Sequence, residues 1–141
     1  MEPAKKSKEG LVGLLLDAQA QSGNAIGAET AAALSKETGV PTAKIYGVTT
    51  FYAMFSNETR GTNLIRMCKS APCHVKGAKA VLRAFEEALG VACGGTTADG
   101  KFTLETCECL GICDISPAVM INGKVFGNLT PEGVPGLLAQ Y

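Results

Sequence analysis

Glu105-Thr-Cys-Glu-Cys-Leu-Gly-Ile-Cys-Asp-Ile-Ser-Pro117 contains the spacing that decides how this chain folds. Cys109 and Cys113 enclose Leu110, Gly111 and Ile112, a C-x3-C. Upstream, Met67-Cys-Lys-Ser-Ala-Pro-Cys-His74 holds a second pair, Cys68 and Cys73, spaced C-x4-C. Gly or Pro lies between or beside the thiols of both pairs, so loops that turn sulfur inward are expected there. Each pair also follows a segment that reads as a strand. Asn63 to Met67 ends at Cys68, and Phe102 to Thr106 alternates and runs straight into the second pair. Two close pairs, far apart in sequence and each at a strand end, point to four thiolates gathered around metal. A lone cysteine is more often a small core residue, and core packing explains paired loop thiols poorly.

The thiols alone leave the metal open. Structural zinc and iron–sulfur clusters both accept four thiolates. Spacings of three and four residues are not the C-x2-C knuckle of most zinc ribbons, and the bacterial four-iron run C-x2-C-x2-C is absent. Both features favour a two-iron cluster. A Rieske centre needs two histidines, and the chain has one, His74, read here as a loop hydrogen-bonder beside Cys73. Cys107 competes with Cys109, since both precede Cys113; at the end of the expected strand it is read as a buried or half-buried thiol. Cys93, alone beside Gly94-Gly95, is spare. No C-x2-C occurs anywhere, which argues against a dithiol oxidoreductase.

Around these pairs the chain divides into a tail and two units. Residues 1–9 read as a charged, mobile tail. Residues 10–58 read as a small helical bundle. Its first helix starts at Leu11 and closes at Ser22-Gly23-Asn24, and its second runs over 28–38 with Ala31, Ala32 and Leu34 inward and Gly39 as the stop. Val40-Pro41 opens a third, and Thr49-Thr50 offers a cap for Phe51 to Phe55. The aromatics Tyr46, Phe51, Tyr52 and Phe55 are expected to fill this unit's own core; the rival reading makes them a docking patch. Ser56 to Thr62 is a polar break. Residues 62–141 then read strand, helix (78–89), strand, hairpin at Asn122-Gly123, and a last helix capped by Thr130 with Pro131 at its first position. The expected fold class is α+β, one sheet with helices packed on it.

Composition narrows the function. The chain has 141 residues, 46% hydrophobic, with 13 Lys plus Arg against 13 Asp plus Glu. That suffices for a packed core and supplies no basic field for nucleic acid. Neutrality also favours a stably docked subunit over a carrier steered by charge. The apolar run Leu11–Leu16 is too short to span a bilayer, and Asp17 follows it rather than a cleavage site, so a cytoplasmic chain with reduced thiols and no membrane insertion is expected.

The residues also carry a resemblance that runs from about Leu11 to Leu138. Tyr46-Gly47-Val48, Thr50-Phe51-Tyr52, Cys68, Cys73, Gly77, Thr96-Thr97, Asp99-Gly100, Cys109-Leu110-Gly111, Cys113, Pro117 and Leu129-Thr130-Pro131 form its pattern. In these the chain resembles the small iron–sulfur subunit of NADH dehydrogenases and NAD(P)-linked hydrogenases. Cys107 departs from the pattern, where an apolar residue is expected, and Ala71 to Val75 looks more like relatives in anaerobic and electron-bifurcating hydrogenases. The resemblance implies a helical N-terminal bundle on a thioredoxin-like domain that holds one [2Fe-2S] cluster on Cys68, Cys73, Cys109 and Cys113. It further implies a partner subunit that binds FMN and NAD(P)H, with further iron–sulfur or hydrogenase subunits beyond it. No G-x-G-x-x-G follows a strand, so neither nucleotide nor flavin is expected on this chain itself.

Overall fold

A computed structural model describes residues 10–141, so the tail expected at 1–9 lies outside the described residues. The chain forms two compact units, divided between Arg60 and Gly61.

The first unit is helical: α1 (Leu11–Gln21), α2 (Ala28–Thr38) and α3 (Thr42–Phe51). Its core is Leu15, Ile26, Ala31, Ile45 and Phe55. Gly39 ends α2 in the left-handed region at φ 71°, where only glycine is unstrained, and its N–H reaches the Ser35 carbonyl. Three expectations need correction here. Ala32 is exposed, because the inward stripe of α2 continues from Ala31 to Leu34 instead. Thr49 and Thr50 cap nothing: both hydroxyls donate back to the Tyr46 carbonyl, inside the last turn of α3. Residues 52–55 are not a helix. Tyr52 turns extended at φ −90°, ψ 121°. Gln19 then clasps the segment, donating to the Met54 carbonyl (3.0 Å) and accepting from the Ser56 N–H (2.9 Å).

The expected aromatic core is largely not there either. Phe55 is 5% exposed, but Tyr46 is 62% and Phe51 78% exposed, with Tyr52 at 40%. Ile45 and Thr49, four residues apart, take the inward face of α3, which leaves its aromatics on the outer one.

The second unit is one mixed sheet of four strands, β1 (Asn63–Cys68), β2 (Phe102–Cys107), β3 (Val119–Ile121) and β4 (Lys124–Phe126), in the order β2-β1-β3-β4. β1 and β2 are parallel, joined through α5 (Ala78–Leu89), while β3 and β4 are antiparallel. The α+β class is as expected. Ile65, Met67 and Leu104 pack with Val81 and Phe85 of α5 in one core, joined by Val134 and Leu137 of α6 (Val134–Leu138). Burying side chains of this size stabilises by about 1.5–3 kcal/mol each. On the opposite face Arg66 pairs with Glu105, its register neighbour, at 2.9 Å. Asn122 (φ 49°) and Gly123 (φ 83°) both occupy the left-handed region that a two-residue hairpin requires.

Two further corrections concern short helices. Thr130 makes no side-chain cap. Pro131–Gly133 is a 3-10 turn, and α6 starts only at Val134, with Pro135 in its first turn. The stretch between Cys68 and Cys73 is also more than a loop, since Ala71–Val75 forms a short helix of 5 residues, α4.

Candidate metal centre

Parallel pairing puts the C-terminal ends of β1 and β2 side by side, with Cys68 and Cys107 as register partners. The chain leaves both strands at this edge, and both cysteine segments follow from it. After Cys68, Ser70 stands at the N-cap of α4 and Pro72 lies in its first turn, as suits a residue without an N–H. Cys73 is thereby turned inward. Cys68 and Cys73 are each 2% exposed and belong to the core of the unit.

The second segment is built differently. Gly111, at φ 78°, folds the chain back so that its N–H points at Cys109 Sγ, 3.3 Å away. Cys113 opens a 3-10 turn, Cys113–Ile115. Its carbonyl accepts from Ser116 Oγ (2.6 Å) and from Lys76 Nζ of the first segment (3.4 Å). The turn is held from outside by Asn128, whose N–H donates to the Ile115 carbonyl at 2.6 Å. Gly127 lies so close that a Cβ there would sit 2.5 Å from Ile115. Cys109 and Cys113 are both exposed.

The electrostatics join the two segments. The Cys109 thiol is held below its ordinary range, chiefly by the Gly111 N–H, then by hydrogen bonds from Ser70 and Cys113. Cys113 is pushed up, first by its hydrogen bond to Cys109, then by desolvation, and more weakly by Cys109, Cys73 and Cys68 as charged neighbours. Lys69, next to Cys68, pairs with Glu108, next to Cys109, at 2.8 Å. That bridge is solvent-exposed and ties the segments only weakly.

Among the described residues, no three Cys, His, Asp or Glu side chains close on a single ion position. The four candidate thiols instead fall into two pairs, a buried one and an exposed one, and a two-iron cluster takes two thiolates per iron. With the Gly111 N–H already aimed at the Cys109 sulfur, the residues present fit such a cluster.

The other thiols fall elsewhere. Cys107 is half-buried at the end of β2, and burial is the main reason its thiol is pushed up. Cys93 is exposed, with its N–H on Glu86. His74 is exposed, and its N–H closes the α4 turn on the Ser70 carbonyl. Sequence reasoning missed Ser70, Lys76 and Gly127. Only Ser70 had a signal: a Ser before Ala-Pro marks a helix start.

Among the described residues no helix is long and apolar enough to cross a membrane. The chain is 43% identical over 102 residues to the NADP-reducing hydrogenase subunit HndA of Solidesulfovibrio fructosivorans, an alignment covering 72% of this chain and 60% of that one. It is 39% identical over 109 residues to a subunit of the NADH-quinone oxidoreductase of Pseudomonas aeruginosa, covering 77% and 66%. The chain thus spans less than two thirds of the length of these relatives. Among solved structures it is similar to a chain of an NAD+-reducing [NiFe]-hydrogenase in the air-oxidized state, with a TM-score of 0.79 and 25% identity over 91% of this chain and 22% of that one. The family pattern described as thioredoxin-like [2Fe-2S] ferredoxin matches residues 1–141, and the chain belongs to that family.

Proposed function

We propose that this chain is an electron-transfer subunit that carries one [2Fe-2S] cluster on Cys68, Cys73, Cys109 and Cys113. The observation that supports this most is that the two cysteine segments leave the same ends of the paired strands β1 and β2, with Lys76, just after the first, reaching the Cys113 carbonyl of the second. Bound there, the cluster supplies one-electron storage. The chain's own residues do the rest. Cys68 and Cys73 place one side of the site in the dry core. The Gly111 N–H and the Ser70 hydroxyl stabilise negative charge on Cys109 sulfur. Hydrogen bonds of this kind favour the more negative, reduced form of a cluster.

The complex to which we assign it is an NAD(P)H-linked oxidoreductase, either an NADH dehydrogenase or a hydrogenase that uses NAD(P). FMN and NAD(P) sit on a partner subunit, further iron–sulfur or hydrogenase subunits lie beyond it, and the assembly works in the reducing cytoplasm. The names of the relatives support this reading, as do six free thiols. The helical unit is the tether. Its exposed Tyr46, Phe51 and Tyr52 offer the aromatic surface from which stable interfaces draw their binding energy.

The test is purification with metal and partner analysis. Two irons and two sulfides per chain, a visible charge-transfer spectrum, and a flavoprotein in the same fraction are expected. Stoichiometric zinc and a colourless protein would end the electron-transfer reading. Replacing Tyr46 and Phe51 by Ser is expected to release the flavoprotein while the spectrum stays intact.

A further inference from the structure

A net charge of zero conceals a local imbalance. From Gly61 to Phe85 the chain carries Arg66, Lys69, Lys76, Lys79 and Arg83, together with His74, and no aspartate or glutamate. Glu105 neutralises Arg66, and Glu108 neutralises Lys69. Lys76, Lys79 and Arg83 are exposed, and among the described residues no carboxylate forms a salt bridge with them. Lys76 rests on the Cys113 carbonyl, so its charge lies against the second cysteine segment.

The topology places this charge, held in no salt bridge, beside the thiols, one turn ahead of Glu86 and Glu87 on α5. α4 and the first turns of α5 follow directly on Cys68. A concave site of about 220 Å3 opens between the end of β1 and α5. Cys68, Met67 and Leu82 line it, and so do Lys69, His74 and Lys79. Val75, apolar and 85% exposed, projects from the same short helix. The volume is below that of ordinary small-ligand sites, which begin at about 300 Å3. It suits a single side chain. Positive charge around an apolar notch draws in acidic surfaces and orients them on arrival.

We propose that α4 and the N-terminal half of α5 form the electron-exchange face of this chain, docking an acidic surface of the flavoprotein partner with one carboxylate in the notch beside Cys68. The proposal rests on the assembly reading above and adds to it the face and the chemistry of the contact. The helical unit holds the partner by apolar area; the basic face sets the orientation in which the electron passes.

The test uses the cluster-loaded chain and two double variants with the same change of charge. Lys79→Glu/Arg83→Glu reverses the face. Lys101→Glu/Lys124→Glu reverses charge at the far end of the sheet, where β2 begins and the hairpin turns. Each reduced protein is reoxidised by hexacyanoferrate(III) and, separately, by hexaammineruthenium(III); either oxidant takes one electron from the cluster. Affinity for the co-purifying flavoprotein is measured across a salt series. Reversal of the face is expected to slow hexacyanoferrate(III) about tenfold at low salt, to speed the ruthenium complex, and to weaken flavoprotein binding about tenfold with a flatter salt dependence. The far-end variant is expected to match wild type. Equal behaviour of the two variants, or unchanged flavoprotein affinity in the first, would overturn the proposal. So would salt-sensitive self-association of the chain that only the first variant abolishes, since a second copy would then own the face. A wild-type chain that does not bind the flavoprotein at all overturns the assembly reading and this proposal together; a wild type that binds while the two double variants behave alike overturns this proposal alone.

Discussion

The two cysteine pairs occupy the same edge of the same sheet, yet they are held in opposite ways. Cys68 and Cys73 are buried, one at the end of a strand and the other in a helical turn, so regular hydrogen bonding and core packing fix them before any metal arrives. Cys109 and Cys113 are exposed and stand on irregular backbone, fixed by single contacts: the Gly111 N–H, Ser116, Lys76 and the clasp of Gly127-Asn128 on Ile115. On the proposed ligand set the first pair is a template and the second a closing arm. Rigid ligands lower the entropy lost on binding, while a pliant arm lets a bulky cluster enter.

Removing ligands tests this contrast most severely. Alanine at any of Cys68, Cys73, Cys109 or Cys113 is expected to abolish or destabilise the cluster, read in the visible spectrum. The metal-free proteins should then differ. Cys73→Ala leaves a void in the core and lowers urea stability by about 1 kcal/mol or more, whereas Cys109→Ala leaves it unchanged. Cys107→Ala should keep its spectrum. A colourless Cys107→Ala beside a coloured Cys109→Ala would reassign the ligand.

Next in size is Gly127→Ala. The added Cβ meets Ile115 at 2.5 Å, and its closest neighbours include backbone, so the Cys113 turn has to shift. Overpacking of this kind costs about 1–3 kcal/mol. Accelerated cluster loss is expected alongside. Gly136→Ala, with open space at its Cβ, is the matched control and should retain the cluster. Similar loss rates in the two would show that the clasp is unimportant to the arm.

Titration separates the arm's own two thiols. In the metal-free chain Cys109 is depressed by hydrogen bonds to its sulfur, while Cys113 and Cys107 are raised. A depressed thiol is ionised at lower pH, and the thiolate is the nucleophile. Iodoacetamide near neutral pH is therefore expected to label Cys109 first, with Cys113 and Cys107 following as pH rises. Peptide mapping after short exposures reads the order, and simultaneous labelling would remove the claimed role of Gly111 and Ser70.

The smallest effect belongs to Glu108→Gln. The Lys69–Glu108 pair is exposed, so the melting temperature should not move at physiological salt. Only slower reconstitution of the cluster at low salt is expected. A large thermal shift would mean that the bridge, not the packing of the first pair, joins the two segments.

Local patterns in the sequence determined the α+β class, α2 and α5 to the residue, the strand leading into each cysteine pair, and the Asn122-Gly123 hairpin. These follow from interactions between near neighbours: apolar periodicity, glycine at positive φ, and turn chemistry. That each cysteine segment follows a strand was legible too, and the structure pairs those two strands in parallel. Tertiary structure alone decided the rest. Tyr46 and Phe51 face outward because Ile45 and Thr49 take the inward face of α3, which composition does not specify. α4 is too short to show a period. Cys107 stands opposite Cys68 through parallel register, and Lys76 reaches Cys113 from another segment altogether. Gly127 matters because the chain returns to pass over Ile115. Each of these depends on which residues meet across elements, and that is set by register and packing rather than by any neighbour along the chain.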